Sequence, residues 1–376
     1  MKKRVLLVAS GGLDKSGVPT VIMTIVRALR EDFDFDILLG TREEGYFEPE
    51  FRQYGGRIFR HPKRHFRLGP LNTLADFFRP VAMFFATRRL IGQNGPYDAI
   101  HCHNEFDMAG SLAAAASKGV PVRAGHVHKT WKGGGGPLTR LYRRCCRRVI
   151  KACATARLAC SRQAGEAFYD TGGFQVVQNP YDERRFCPDP AGTVGDGGIR
   201  VVQVGYFCDN KNQRFTLAIF RALAAVQPDA RLSFVGAAGN PYGEALRGEI
   251  RTAGLAEQVT LLPPDADIPA LLNRSTLMLL PSKAEGFGMA LVEAQAVGLP
   301  CYASDAVPPE ANLGGVRFLP LSDGPDAWAK TILDERRFTR IIPCDCGAFT
   351  TERFSEAIRA AYQPPDASQS TRSRLN

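Results

Sequence analysis

Short apolar runs alternate with stretches whose apolar residues recur at helical spacing along most of the chain. Residues 3–10 form an apolar run closed by Gly11-Gly12, and residues 19–29 then repeat apolar side chains every three or four positions. The chain therefore opens as strand, glycine-containing loop and helix. Further runs at 35–39, 99–101 and 122–127 are separated by helical segments such as 76–90 and 108–117, a pattern that predicts a mostly parallel sheet with helices on both faces. The pattern breaks at Asn179-Pro180-Tyr181-Asp182, and residues 188–198 hold two Pro and four Gly, which predicts a hinge. A second series follows: strand 200–204, loop 205–212, helix 215–226, strand 231–235, then apolar runs at 259–262, 277–280 and 300–303. The expected map is an α/β domain over 1–180, a linker over 181–198 and a second α/β domain over 199–348. A closing helix over 349–363 returns to the first domain, and a polar tail over 364–376 is too poor in apolar residues to pack.

Composition supports a two-domain globular reading. With 376 residues, 44% hydrophobic and 23% charged, the chain is long enough for two cores, and it shows no repeat of solenoid period. No apolar run reaches the ~18 residues needed to span a bilayer, and the apolar stretch after Lys2-Lys3-Arg4 is too short for a signal peptide. Ten cysteines lack paired metal spacing, so reduced thiols and a cytoplasmic location are expected. The net charge of +10 is uneven: residues 57–90 carry eight Arg or Lys against one Asp, and residues 121–162 carry eleven against none. The first domain thus has a basic character suited to nucleic acid, anionic lipid or a phosphate-bearing substrate.

Two loops after strands hold the chemistry-bearing residues of the second domain. Pro281-Ser282-Lys283-Ala284-Glu285-Gly286-Phe287-Gly288-Met289-Ala290-Leu291-Val292-Glu293 follows the strand at 277–280. A helix starting near Gly288 would aim free N–H groups and its positive dipole end at a diphosphate, with Glu285 in the loop and Glu293 one to two turns inside. On spacing alone, Glu285 as a simple helix cap and Glu293 as a solvated residue remain equally open. Gly205-Tyr206-Phe207-Cys208-Asp209-Asn210-Lys211-Asn212 lies at the carboxyl end of the strand at 200–204, where ligands bind in parallel sheets and a lysine can reach phosphate oxygens. A solvated surface lysine is the competing reading.

Four of the six histidines form two His-x-His pairs, His101/His103 and His126/His128. Residues two apart on a strand share a face, so a four-histidine metal site is one reading. No carboxylate or thiol shell stands near beyond Cys102 and Glu105, and the favoured expectation is no metal, with one functional histidine and the others packed.

These residues carry a resemblance over roughly residues 3–362. The segment from Glu285 to Glu293 resembles the paired glutamates, seven residues between them, of family 4 of the retaining glycosyltransferases, and in particular its bacterial capsule and exopolysaccharide branch. Residues 204–212, Phe234-Val235-Gly236 and Gly298-Leu299-Pro300 follow in the family's order. So do residues 12–18, His101-Cys102-His103, residues 124–128 and Leu158-Ala159-Cys160-Ser161.

The resemblance implies the GT-B architecture, two Rossmann-like domains facing each other across a cleft, the first for the acceptor and the second for a nucleotide-diphosphate sugar. It implies roles for Glu285 on donor-sugar hydroxyls, Lys211 on the diphosphate, Glu293 on the ribose, and the amides of Phe287, Gly288, Met289 and Ala290 on sugar and phosphates. His126 would hydrogen-bond near the reacting sugar, and Gly17, Gly205, Tyr206, Asn212, Ile268 and Gly286 complete the donor-binding set. A UDP-sugar is favoured, with a saccharide or polyprenyl-diphosphate-linked acceptor, no cofactor, and a retaining, metal-independent hexosyl transfer in which the leaving diphosphate takes the acceptor proton. The chain departs from the family at Tyr206, where Arg is common, and at Ser16-Gly17-Val18-Pro19, where Gly-Gly is followed two residues later by Glu; Arg214 or Lys283 are the expected substitutes for the missing cation. The competing classes are a GT-B-like nucleotide-sugar epimerase and a catalytically silent nucleotide-sugar-binding partner. A nucleic-acid binder ranks last, since the basic segments have no reader motif. The same segments suit peripheral docking on an anionic membrane, because Phe77-Phe78, residues 81–85, Leu141 and Tyr142 are ringed by cations.

Overall fold

The computed structural model describes residues 2–62, 69–103, 105–130, 136–169, 172–189, 198–236, 239–341 and 346–364. Much of the expected linker (190–197), residues 342–345 and nearly all of the polar tail lie outside the described residues. The chain forms two compact units, one built from the segment up to Pro180 together with the segment from Thr351, the other from Tyr181–Thr350.

The first unit contains β1 (Lys3–Ala9), α1 (Gly17–Leu29), β2 (Phe33–Leu39), α2 (Glu48–Gln53), β3 (Arg57–Arg60), α3 (Gly69–Asn94) and β4 (Ala99–Cys102). It continues with α4 (Met108–Ser117), β5 (Val122–Val127), α5 (Pro137–Cys153), β6 (Ala156–Ala159), α6 (Arg162–Tyr169) and β7 (Gln175–Val176). The second contains β8 (Arg200–Val204), α7 (Gln213–Val226), β9 (Arg231–Val235), α8 (Pro241–Thr252), β10 (Val259–Leu262) and α9 (Ile268–Arg274). It closes with β11 (Leu277–Leu280), α10 (Met289–Ala296), β12 (Cys301–Ser304), β13 (Val316–Leu319) and α11 (Gly324–Glu335), before α12 (Thr351–Ala361) returns to the first unit.

Both sheets are parallel throughout. Their strand orders, β3-β2-β1-β4-β5-β6-β7 and β10-β9-β8-β11-β12-β13, share one plan: each sheet begins at its centre, grows to one edge, then reverses and grows to the other. The reversal falls between β1 and β4 in one unit and between β8 and β11 in the other. Strands covered on both faces need continuous apolar sequence, and β1, β4 and β11 are buried almost end to end.

The first core joins β1 and β2 to the inner face of α1 (Val21, Ile22, Ile25, Val26, Leu29) and to Phe354, Ile358 and Tyr362, spaced four apart on and just beyond α12. On the opposite face, α3 and α4 approach closely at Gly110, where a Cβ would lie 1.8 Å from the Pro80 carbonyl oxygen; only glycine permits that crossing. The second core gathers Leu232, Phe234, Leu277 and Leu279 with Phe220, Leu223 and Trp328 from α7 and α11. Among the described residues, eight cysteines stand as free thiols, and no helix is long and apolar enough to cross a membrane.

Candidate active site

In the second unit the strand-order reversal brings the loop after β8 against the loop after β11, which is where a parallel sheet opens a crevice for ligands. Hydrogen bonds from both loops stitch them together. The Lys283 amide donates to the Asn210 carbonyl at 2.8 Å, and Asn210 Nδ2 to the Ala284 carbonyl at 2.8 Å. Asn212 Nδ2 donates to the Pro281 carbonyl at 3.1 Å, and Lys211 Nζ to Glu285 Oε1 at 2.6 Å. Glu285 Oε1 also accepts from the Ser282 hydroxyl at 2.6 Å. Glu285 is buried, so this pairing holds a carboxylate that would otherwise be costly to desolvate. Lys211 is in turn fixed through its carbonyl, which accepts from Gln203 Nε2 at 2.7 Å.

Beyond Glu285 the chain turns into α10 at Gly288, whose φ of 97° favours glycine and where a Cβ would lie 3.1 Å from a Val307 methyl. The first free amides of α10 belong to Met289 and Ala290, and its dipole favours negative charge there. Phe287 is buried against Phe349, ring centroids 5.6 Å apart. Glu293 sits one turn inside, half-buried. Burial raises its pKa to about 7, opposed by Arg185 and reinforced by Asp182. The sequence reading of Glu285 as a simple cap is not what is found: α10 has no side-chain cap, and the carboxylate turns to Lys211 instead.

The remaining donor-set residues of this unit spread around the same edge. Tyr206 is 57% exposed, Gly205 ends β8, and Asn212 precedes α7 in a left-handed conformation with φ 57°. Ile268 opens α9 behind the cap made by Asp267 to the Ala270 amide, and Gly286 is half-buried. Both expected substitutes for the missing cation are engaged with carboxylates. Arg214 Nε bonds Glu249 at 2.8 Å, and Lys283 Nζ bonds both oxygens of Asp209 at 2.8 Å.

Gly17 and His126 belong to the first unit. Gly17 is the exposed first residue of α1. His126 is fully buried on β5, beside His101 and His103. Register places all four histidines on one face, because His101 stands opposite Ala124 and alternation then aligns 101, 103, 126 and 128. Burial, and next the neighbouring imidazoles, depress these rings: His101 and, with Lys129 as its neighbour, His128 fall to about 3, and His103 and His126 fall well below the usual value. All four are neutral at physiological pH.

Sequence reasoning did not find the cavity nearby, of about 470 Å³, lined by Ser10, Asp76, Phe77, Glu105, Phe106, Asp107, Lys129, Thr139, Tyr142 and Arg143. It follows the ends of β1, β4 and β5, the reversal point of the first sheet. The sequence signal for it was the basic excess over 121–162, which supplies Lys129 and Arg143.

Comparison with known proteins bears on the family and the fold. Residues 198–334 match the family described as glycosyl transferases group 1, and residues 16–182 match the glycosyl transferase 4-like domain. EpsF of Bacillus subtilis (strain 168), a protein named as a glycosyltransferase, is 32% identical over 348 residues, covering 88% of this chain and 87% of EpsF. An Escherichia coli UDP-Gal:alpha-D-GlcNAc-diphosphoundecaprenol alpha-1,3-galactosyltransferase is 26% identical over 233 residues, 56% of this chain and 58% of its own. Among solved structures, Anabaena HepE in complex with UDP and glucose superposes with a TM-score of 0.72 at 19% identity, covering 95% of this chain and 98% of that one. The chain belongs to the group 1 glycosyltransferases with a glycosyltransferase 4-like first domain, of GT-B fold.

Proposed function

We propose that the protein is a retaining hexosyltransferase that transfers a hexose from a nucleotide-diphosphate sugar, UDP-sugar favoured, to a saccharide or polyprenyl-diphosphate-linked saccharide in cell-surface polysaccharide synthesis. The observation that carries this reading is the 2.6 Å contact between Lys211 and Glu285 at the mouth of α10. Without donor, the two charges neutralise one another. With donor, the Lys211 ammonium exchanges Glu285 for the diphosphate and leaves the carboxylate to accept from sugar hydroxyls. The amides at the start of α10 add positive potential where charge develops on the leaving group. The bond from anomeric carbon to diphosphate oxygen breaks, the acceptor oxygen bonds that carbon on the same face, and its proton passes to the departing diphosphate. This route asks for no metal at the diphosphate and no protein base. Glu293 accepts from ribose, and His126 donates near the reacting sugar.

HepE, crystallised with UDP and glucose, and the relative named for a UDP-sugar donor and a diphosphoundecaprenol acceptor support the donor and acceptor classes. The first-unit cavity, with Lys129 and Arg143 beside Phe77 and Tyr142, offers charge and aromatic surface to such an acceptor. Peripheral docking on an anionic membrane belongs to the same reading. Phe78, Val81 and Phe85 of α3 and Leu138 and Leu141 of α5 are exposed. Of the five arginines of α5, the four at 143, 144, 147 and 148 divide. Arg144 and Arg148 point outward, whereas Arg147 bonds the Ala167 carbonyl at 2.7 Å and Arg143 lies over the Phe106 ring.

The test is a thermal-shift panel of UDP-, GDP- and ADP-sugars, where saturation at 100 times Kd adds about 2.7 kcal/mol, followed by transfer to a diphosphopolyprenol saccharide and NMR assignment of the new anomeric centre. A shift with one nucleotide class and an anomer matching the donor are expected; an inverted anomer refutes retention. The engagement of Arg214 and Lys283 favours one second reading, a binding partner without turnover, which nucleotide binding with no transfer to any acceptor would establish.

A further inference from the structure

The four histidines of the first unit carry more unpartnered nitrogens than the single His126 contact proposed for glycosyl transfer uses. Buried polar atoms are almost always hydrogen-bonded, yet His101 Nε2, His103 Nε2, both nitrogens of His126 and His128 Nδ1 are buried without a partner. The pattern is ordered. His101 Nδ1 lies 2.8 Å from the Tyr362 hydroxyl, and His103 Nδ1 lies 3.0 Å from His128 Nε2. On both rings one nitrogen is thus engaged from behind and the opposite one is bare. His101 and His126 are completely buried and His103 is 5% exposed, and one nitrogen from each of the three lies within 4.8 Å of the other two.

We propose that His101, His103 and His126 form a binding site for a divalent transition ion of the zinc class, oriented by Tyr362 and His128. Three neutral imidazoles are a known ligand set for Zn²⁺, the fourth position being filled by water or another exogenous donor, and imidazole suits zinc, cobalt, nickel and copper over magnesium or calcium. Ligating histidines characteristically have their second nitrogen held by another group, which fixes the tautomer and ring orientation. Tyr362 and His128 provide that hold, and with Nδ1 as the donor on His101 and His103 the lone pair on each Nε2 is left for a metal. At zinc–nitrogen distances of roughly 2.0–2.1 Å the ligand atoms of a tetrahedral site stand about 3.4 Å apart, so the ring nitrogens converge on binding while the His101 and His103 rings, whose centroids lie 4.0 Å apart, splay. Ligation through one nitrogen leaves the other nitrogen of His126 able to donate, so the site is compatible with the sugar contact proposed above and does not depend on it. All five residues lie within one unit.

The experiment uses the untagged full chain, stripped with chelator and dialysed against Zn²⁺ or Co²⁺. About one equivalent of zinc retained after desalting is expected, together with visible absorption of four-coordinate Co²⁺ and a rise in Tm on adding Zn²⁺. His103→Gln should abolish the cobalt bands, and Tyr362→Phe should weaken zinc binding by roughly 10–100-fold while far-ultraviolet circular dichroism stays unchanged. Substoichiometric zinc with no cobalt bands, or stoichiometric binding indifferent to His103→Gln, overturns the site. Nucleotide binding measured on the stripped protein reports the transferase reading separately.

Discussion

The two units follow one plan of strand order and place different chemistry at the same topological point. At the reversal in the second sheet, charge is paired: Lys211 with Glu285 and Lys283 with Asp209. At the ends of β4 and β5, beside the reversal in the first, four imidazoles are held neutral with five ring nitrogens unpartnered. Topology therefore fixes which loops meet at that point, while the side chains decide whether it holds paired charge or bare ring nitrogens. The second unit has only paired charge there, whereas the first adds ring nitrogens without a partner beside its own Lys129–Glu105 pair.

The largest expected effect comes from breaking the stored pair. Lys211→Ala should reduce transfer by about 10²–10³, the range seen on removing one donor from a developing oxyanion. It should also destabilise the protein by roughly 1–3 kcal/mol, since buried Glu285 loses its charge-assisted bond from Lys211 while keeping that from Ser282. The double variant Lys211→Met, Glu285→Gln should recover most of the stability and none of the activity. Chemical denaturation with parallel assays separates the two losses; wild-type turnover in Lys211→Ala would remove the proposed site.

The first unit should respond in the opposite way. His126→Phe, which removes two unpartnered nitrogens, should leave Tm unchanged or raised in metal-free buffer and lower transfer at least tenfold. A drop in stability of several kcal/mol would instead show that His126 is a bonded core residue and erase the contrast between the units.

A smaller effect concerns Glu293. Its pKa of about 7 exceeds the ordinary carboxyl value, so the stability tied to its neutral form is complete below about pH 4.5 and is lost as pH rises through 7. Glu293→Gln should match wild type in acid and be more stable at pH 8 by about 1–2 kcal/mol, a figure lowered for partial exposure. Equal stability at pH 8 would show that the carboxylate is already compensated. Smallest of all, Tyr206→Arg should improve donor affinity a few-fold through a charge-assisted contact, readable by titration calorimetry; weaker binding would give Tyr206 a role of its own.

Legibility of the sequence followed burial. β1, β4, β5, β8 and β11 are enclosed on both faces and read directly as apolar runs, whereas β3 (Arg-Ile-Phe-Arg) is a half-exposed strand at the sheet edge and β7 has two residues, too little apolar pattern to mark either. The glutamates and Lys211 stood out as residue types after strands. Their contact did not, because Lys211 and Glu285 are 74 positions apart and only the strand-order reversal unites them. Likewise the His-x-His pairs were visible, but which ring nitrogens are bare depends on Tyr362, 261 positions from His101.

That last contact has a consequence for synthesis on the ribosome. The second unit is one continuous segment, Tyr181–Thr350, whereas the core of the first requires Phe354, Ile358 and Tyr362. The first unit thus starts earlier and finishes later, waiting on the order of ten to thirty seconds at roughly 5–20 residues per second for its closing helix. During that interval Phe33 and the inner face of α1 lack their cover, and a chaperone-accessible apolar surface persists until the last turn of α12 has left the exit tunnel.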